Sequence, residues 1–196
     1  MGNGCNGRKS NVVLVGVAGV GKTTIGKLAS EKMGMPFIDV DMGFEEAEEF
    51  DIDTLLDKYG EREFDREMLD YFTDRIRERD RAIFASPGRL AWYGEFWRVV
   101  KSNGVSIHIR GKPMEVYMRQ DVWTGDRNMT KEEKLDEYWK RDFYDYYNWR
   151  LRHCLKADYT VRIIGNKQTD AESLCKKIAE VLNKLDKNYN QCNENI

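Results

Sequence analysis

The sequence predicts a three-layer α/β/α fold on a five-stranded, mainly parallel sheet, and two observations carry that expectation. Short β-branched runs at 11–16, 36–39, 81–85, 105–110 and 159–164 alternate with stretches of helical periodicity. Strands buried on both faces read as continuous apolar runs, and the helices between them serve as crossovers. The second observation is Gly16-Val17-Ala18-Gly19-Val20-Gly21-Lys22-Thr23, which fits the phosphate-loop pattern G-x-x-x-x-G-K-[ST] without a mismatch. Sheets of this kind bind ligands beyond the carboxyl ends of their strands, where this loop falls.

Residues 1–10 are polar, hold three glycines and are expected to form a flexible leader. Asn11-Val12-Val13-Leu14-Val15 makes the buried first strand, and Thr24 to Met33 reads as the helix behind the glycine loop. Phe37-Ile38-Asp39-Val40-Asp41 closes the second strand. Phe64, Met68, Phe72 and Ile76 recur every four residues, which gives a helix one apolar stripe and an outer face of Asp, Glu and Arg. The third strand ends at Ser86-Pro87-Gly88-Arg89, and the fourth runs from Val105 to Arg110.

Beyond a helix starting near Pro113, the Gly, Asp and Asn content of Asp121 to Asn128 suits a helical lid over about 121–132. Leu135, Trp139, Phe143, Tyr147 and Leu151 step along a long helix, and Tyr138, Tyr144, Tyr146 and Trp149 widen its stripe. Such a stripe fits an aromatic cage for a ligand or plain packing, and packing is the commoner use. A fifth strand, the loop Gly165-Asn166-Lys167 and a last helix complete one domain over 11–186. The asparagine-rich stretch 187–196 is expected to fray.

A length of 196 residues suits a single core, and 41% hydrophobic with 34% charged residues describes a globular chain with a heavily charged exterior. The net charge of −2 offers no electrostatic case for a nucleic-acid partner. No apolar run approaches the roughly 18 residues of a membrane span, so no membrane is expected and the protein is placed in the cytoplasm. The Met1-Gly2 start lacks the Ser or Thr of a myristoylation signal, with Asn6 at that position. Cys5, Cys154, Cys175 and Cys192 show neither metal-ligand nor disulfide spacing. His153 beside Cys154 is no nucleophilic pair, because neighbours on a helix point about 100° apart. The oligomeric state is left open.

The chemistry begins with the loop. Its glycines let backbone N–H groups curl toward phosphate oxygens, so Gly16, Ala18, Gly19, Val20, Gly21 and Thr24 form a nucleotide cradle with the following helix dipole behind it. Lys22 reaches the β- and γ-phosphates, and Thr23 offers its hydroxyl to Mg²⁺. Alternation along an extended chain puts Asp39 and Asp41 on one face. One carboxylate then serves the metal's shell and the other orients and deprotonates an acceptor hydroxyl. A pair of capping aspartates ahead of the acidic stretch Glu45 to Glu49 is the plainer alternative.

The run Gly16 to Thr24, the D-x-D at 39–41 and the later arginines together resemble shikimate kinase, within the nucleoside-monophosphate-kinase group of P-loop folds. The similarity covers roughly residues 10–185 and is motif-level over the first third. It implies ATP-dependent transfer of the γ-phosphoryl group to a ring hydroxyl of a small acid, with Asp39 on the metal side and Asp41 at the substrate hydroxyl. The resemblance makes Arg127 the lid arginine that stabilises the transferring phosphoryl group and Arg119 the residue packing on adenine. It lays Asn166 and Lys167 along the adenine ring, and puts Arg150 or Arg152 at the acceptor's carboxylate.

Two segments depart from the family. Its Gly-Glu-x-x-Phe-Arg carries a carboxylate-gripping arginine, whereas this chain reads Gly60-Glu61-Arg62-Glu63-Phe64-Asp65. Its triple glycine is here Ser86-Pro87-Gly88-Arg89, which brings Gly88 and Arg89 to the substrate and lets Arg89 supply the missing cation. The expected function is therefore an ATP- and Mg²⁺-dependent small-molecule kinase with altered substrate motifs. The alternatives are a nucleotide-binding protein without acceptor chemistry and a GTPase-like switch. For the switch, Asn166-Lys167-Gln168-Thr169-Asp170 nearly matches N-K-x-D, and Asp57-Lys58-Tyr59-Gly60 matches D-x-x-G in a helix-like segment.

Overall fold

The computed structural model describes residues 9–119 and 137–194. Five parallel strands, β1 (Asn11–Val15), β2 (Phe37–Asp39), β3 (Ile83–Ala85), β4 (Gly104–Arg110) and β5 (Tyr159–Arg162), form one sheet in the order β2-β3-β1-β4-β5. The glycine loop thus leaves the carboxyl end of the central strand. Lys22–Met33 forms helix α1, followed by α2 (Val40–Glu48), α3 (Ile52–Tyr59), α4 (Glu61–Glu78), α5 (Gly94–Asn103), α6 (Pro113–Arg119), α7 (Glu137–Cys154) and α8 (Lys167–Glu194). Helix α8 continues into the segment read from sequence as a fraying tail. The expected lid, 121–132, lies outside the described residues.

The apolar run of β1 is buried along its whole length because the two sets of alternating side chains enter different cores. Val12 and Leu14 pack with Ile25 of α1, Val116 of α6, Phe143 of α7 and Leu174 of α8. Val13 and Val15 pack with Phe44, Leu55, Phe64, Phe72 and Phe96 on the other face. The α4 stripe is buried as its spacing requires, and Phe143 and Tyr147 of α7 also lie in a core, with Phe143 against Tyr117 at 4.9 Å. Asn11 is the buried polar exception in β1. Its side chain donates to the carbonyls of Ile76 and Arg79 and accepts from the Ala82 N–H, so it ties the sheet to the α4–β3 turn.

One local expectation changes. Asp39 and Asp41 do not alternate on an extended strand, because the chain turns helical at Val40. Asp39 ends β2 and N-caps α2, its Oδ1 accepting the Met42 N–H at 3.3 Å, while Asp41 sits in the first helical turn. The capping reading and the site reading therefore describe the same residue.

Candidate active site

The phosphate loop is curled around its own lysine. Lys22 Nζ donates to the carbonyls of Gly16 and Val17 at 2.9 and 3.2 Å. Gly21, with φ of 105°, adopts the left-handed conformation that directs the backbone into α1. The first turn of α1 holds no acidic residue, so its positive dipole end is free for an anion. Ala18, Gly19, Thr23 and Thr24 are exposed there, whereas the Val20 side chain is buried in the core and only its backbone serves the loop.

Asp39 enters through the same loop, since its Oδ2 accepts from the Thr23 hydroxyl at 2.6 Å. A hydroxyl and a carboxylate are hard oxygen donors suited to Mg²⁺, which takes few protein ligands and fills its shell with phosphate oxygens and water. Asp41 stands two residues further, in the first turn of α2, and is half-buried. Burial pushes its carboxyl up to about 6, against the pull of Lys22, the strongest charged influence on it. Burial lowers the Lys22 ammonium in turn, and Asp41 is the strongest charge opposing that. Each group is thus the leading charge acting on the other.

Gly88 packs directly on the phosphate loop: a Cβ there would lie 3.2 Å from the Gly16 carbonyl oxygen and 3.6 Å from the Ala18 nitrogen. Beside it, Arg89 forms an ion pair with Asp65 of α4 and lies 4.8 Å over the Phe64 ring. Tyr93 donates its hydroxyl to the other Asp65 oxygen, and burial together with that bond pushes the phenol up to about 12. Asp65 was legible only as a missing cation. Its spacing to Leu69, Phe72 and Ile76 on the apolar side of α4 is the signal that a buried acid needs a partner from elsewhere.

The structure separates the two α7 arginines. Arg150 turns inward, with its guanidinium 3.9 Å over Trp92 and 5.0 Å over Tyr146, and its Nη1 3.4 Å from the Gly88 carbonyl. Burial lowers it from the ordinary arginine value, and Arg89 repels it. Arg152, about 200° further round the helix, is exposed. The outer aromatics of α7 hold a guanidinium rather than an empty cage, with Trp92 and Trp149 rings 4.5 Å apart. His153 meets the Trp149 ring edge to face while Cys154 is buried in the core with Val13 and Val15, so that pair diverges.

A cleft of about 210 Å³ beside the phosphate loop is lined by Gly19, Gly21, Thr24, Ile163, Gly165 and Lys167, among others. Asn166 caps α8 by accepting the Thr169 N–H. Asp170, 3% exposed, accepts the N–H groups of Ile164 and Gly165 at 2.8 and 3.0 Å. Both its oxygens are engaged with its own loop, which accounts for the near match to a guanine-binding motif. Asp57 to Gly60 likewise falls in α3 and its cap. Replacing Asp170 with alanine removes the acceptor of two loop N–H groups that lie near solvent and is expected to lower stability by about 1–2 kcal/mol and to weaken nucleotide binding, read by urea denaturation and calorimetry. Arg119 closes α6, and Arg127 lies outside the described residues.

Comparison with known proteins agrees with this geometry. The family model for shikimate kinase matches residues 18–183. The chain belongs to the shikimate kinase family. The shikimate kinase of Thermodesulfovibrio yellowstonii is 29% identical over 174 residues, covering 88% of this chain and 97% of its own. The crystal structure of shikimate kinase from Bacteroides thetaiotaomicron superposes with a TM-score of 0.75 at 19% identity, covering 89% of this chain and 98% of that one. The Acinetobacter baumannii shikimate kinase, solved in complex with shikimate, superposes with a TM-score of 0.67 at 22% identity over 91% and 95% of the two chains. The protein is thus an ATP-dependent small-molecule kinase with the P-loop fold. Among the described residues, no helix is long and apolar enough to cross a membrane.

Proposed function

We propose that this kinase moves the γ-phosphoryl group of ATP, bound with Mg²⁺, onto a hydroxyl of a small molecule that carries a carboxylate. The observation that carries the reading is the phosphate loop curled around Lys22, with Asp39 bonded to Thr23 and Asp41 in the helical turn that follows, where Lys22 is the leading charge acting on it. A cation for the transferred phosphoryl group and a carboxylate for the acceptor hydroxyl are the two groups such a transfer needs. The loop amides and Lys22 hold the polyphosphate, and the cleft at Thr24, Gly165 and Lys167 receives the base. Thr23 and Asp39 would hold Mg²⁺, which would supply charge neutralisation to the phosphates. Asp41 accepts the proton of the attacking hydroxyl, and its carboxyl is ionised at neutral pH because even its raised value of about 6 lies below 7.

On the far wall Gly88, Arg89 and the desolvated Arg150 face the acceptor, and Arg152 does not join them. The residues at Asp65 and at Ser86 to Arg89 differ from the family pattern, which supports an acceptor pocket remodelled relative to its relatives. The test is ATP turnover across hydroxyl compounds, shikimate included, with and without Mg²⁺. Mg²⁺-dependent turnover with at least one acceptor is expected. Tight ATP binding with no turnover on any acceptor would replace this reading with a nucleotide-binding protein.

A further inference from the structure

The cations of the acceptor wall differ in one respect. Arg89 already has a counter-ion, the 4% exposed carboxylate of Asp65, whose second oxygen takes the Tyr93 hydroxyl. Arg150 has none among the described residues: its contacts are ring faces, the Tyr146 hydroxyl and the Gly88 carbonyl. An uncompensated charge in a partly dry site calls for an ion of opposite sign, whereas an arginine already paired with a carboxylate offers a further anion little net attraction. Resting on the kinase reading above, we propose that Asp65 is a specificity-determining residue. It cancels Arg89, so the site takes acceptors with one anionic group, held by Arg150, and sets uncharged hydroxyls against the Asp65-Arg89-Tyr93 corner.

Selectivity here works by withholding a cation as much as by offering one, since a second carboxylate on the acceptor would be desolvated beside an Arg89 that Asp65 has already neutralised. Calorimetry on the full chain with Mg²⁺ and ADP already bound tests it, using shikimate as a probe with one carboxylate and tartrate as a probe with two. Wild-type protein is expected to bind shikimate more tightly than tartrate. Asp65→Asn, which leaves Arg89 uncompensated, is expected to tighten tartrate by about tenfold or more and shikimate by less.

Unchanged or weakened tartrate binding in Asp65→Asn overturns the proposal, as does binding of neither probe by wild type and variant alike. Where Asp65→Asn no longer takes up ADP, Arg89→Gln replaces it. That variant bares the acid and is expected to weaken both probes about tenfold, and unaltered affinities count against the idea. Failure of the kinase reading itself shows separately, as wild-type protein that takes up no ADP.

Discussion

Replacing Asp41 with asparagine is expected to remove phosphoryl transfer and, in the same protein, to make the metal-free fold harder to unfold at pH 8. The two effects share one cause. A carboxyl pushed from 3.8 to about 6 by burial binds its proton more tightly folded than unfolded, so ionising it works against the fold. Stability is therefore highest, in this group's contribution, below its unfolded value and falls as pH rises through 4 to 6. A shift of about two units corresponds to roughly 3 kcal/mol, which partial exposure of Asp41 reduces to about 1–3. Asparagine keeps the shape and abolishes the penalty. Urea denaturation in chelator is expected to show the variant ahead by that margin at pH 8 and level with wild type near pH 4. Turnover falls by about two to four decades with loss of the general base. A variant less stable than wild type at pH 8 would show that the ionised Asp41 is held favourably rather than under strain.

Lys22→Ala carries the second large effect. In the proposed reaction its ammonium makes one strong charge-assisted contact to the transferring phosphoryl group, worth about 2–4 kcal/mol, or roughly two to three decades in rate. Removing it also frees the Gly16 and Val17 carbonyls that it holds, so nucleotide affinity is expected to drop together with turnover. An independent readout lies across the site. Because Lys22 is the leading charge holding Asp41 down, the Asp41 carboxyl is expected to rise above about 6 in Lys22→Ala, followed by carboxyl NMR titration in metal-free protein. The double variant should lose less activity than the two single losses combined, since each group acts through the other. Turnover within a few-fold of wild type would remove Lys22 from the chemistry.

What the sequence disclosed divides by how far apart the cooperating residues stand. The five strands were legible because each is a local apolar run, and their bounds shift by only a residue or two. The phosphate loop was legible for the same reason: Gly16 to Thr24 is contiguous. Asp39 was placed correctly beside Thr23 but on the wrong backbone, since an aspartate that ends a strand and one that caps a helix read alike until the Met42 N–H is seen. The Asp65 pairing joins α4 to the loop after β3, and the Tyr93 bond to Asp65 spans 28 positions, so no periodicity could announce it. The choice between Arg150 and Arg152 depends on the rotation of α7 against the sheet, which tertiary packing fixes. Asp170 was seen as a misplaced guanine ligand because its actual partners, two main-chain N–H groups, have no sequence signature.

The approach of Gly88 to the Gly16 carbonyl ties the acceptor's loop to the nucleotide's loop with almost no slack between them. If the two loops move together, as this approach favours, then on the proposed function occupation of one by its substrate alters the free energy of filling the other. Thermodynamic linkage makes that influence equal in both directions: whatever factor ATP contributes to acceptor affinity, the acceptor returns to ATP.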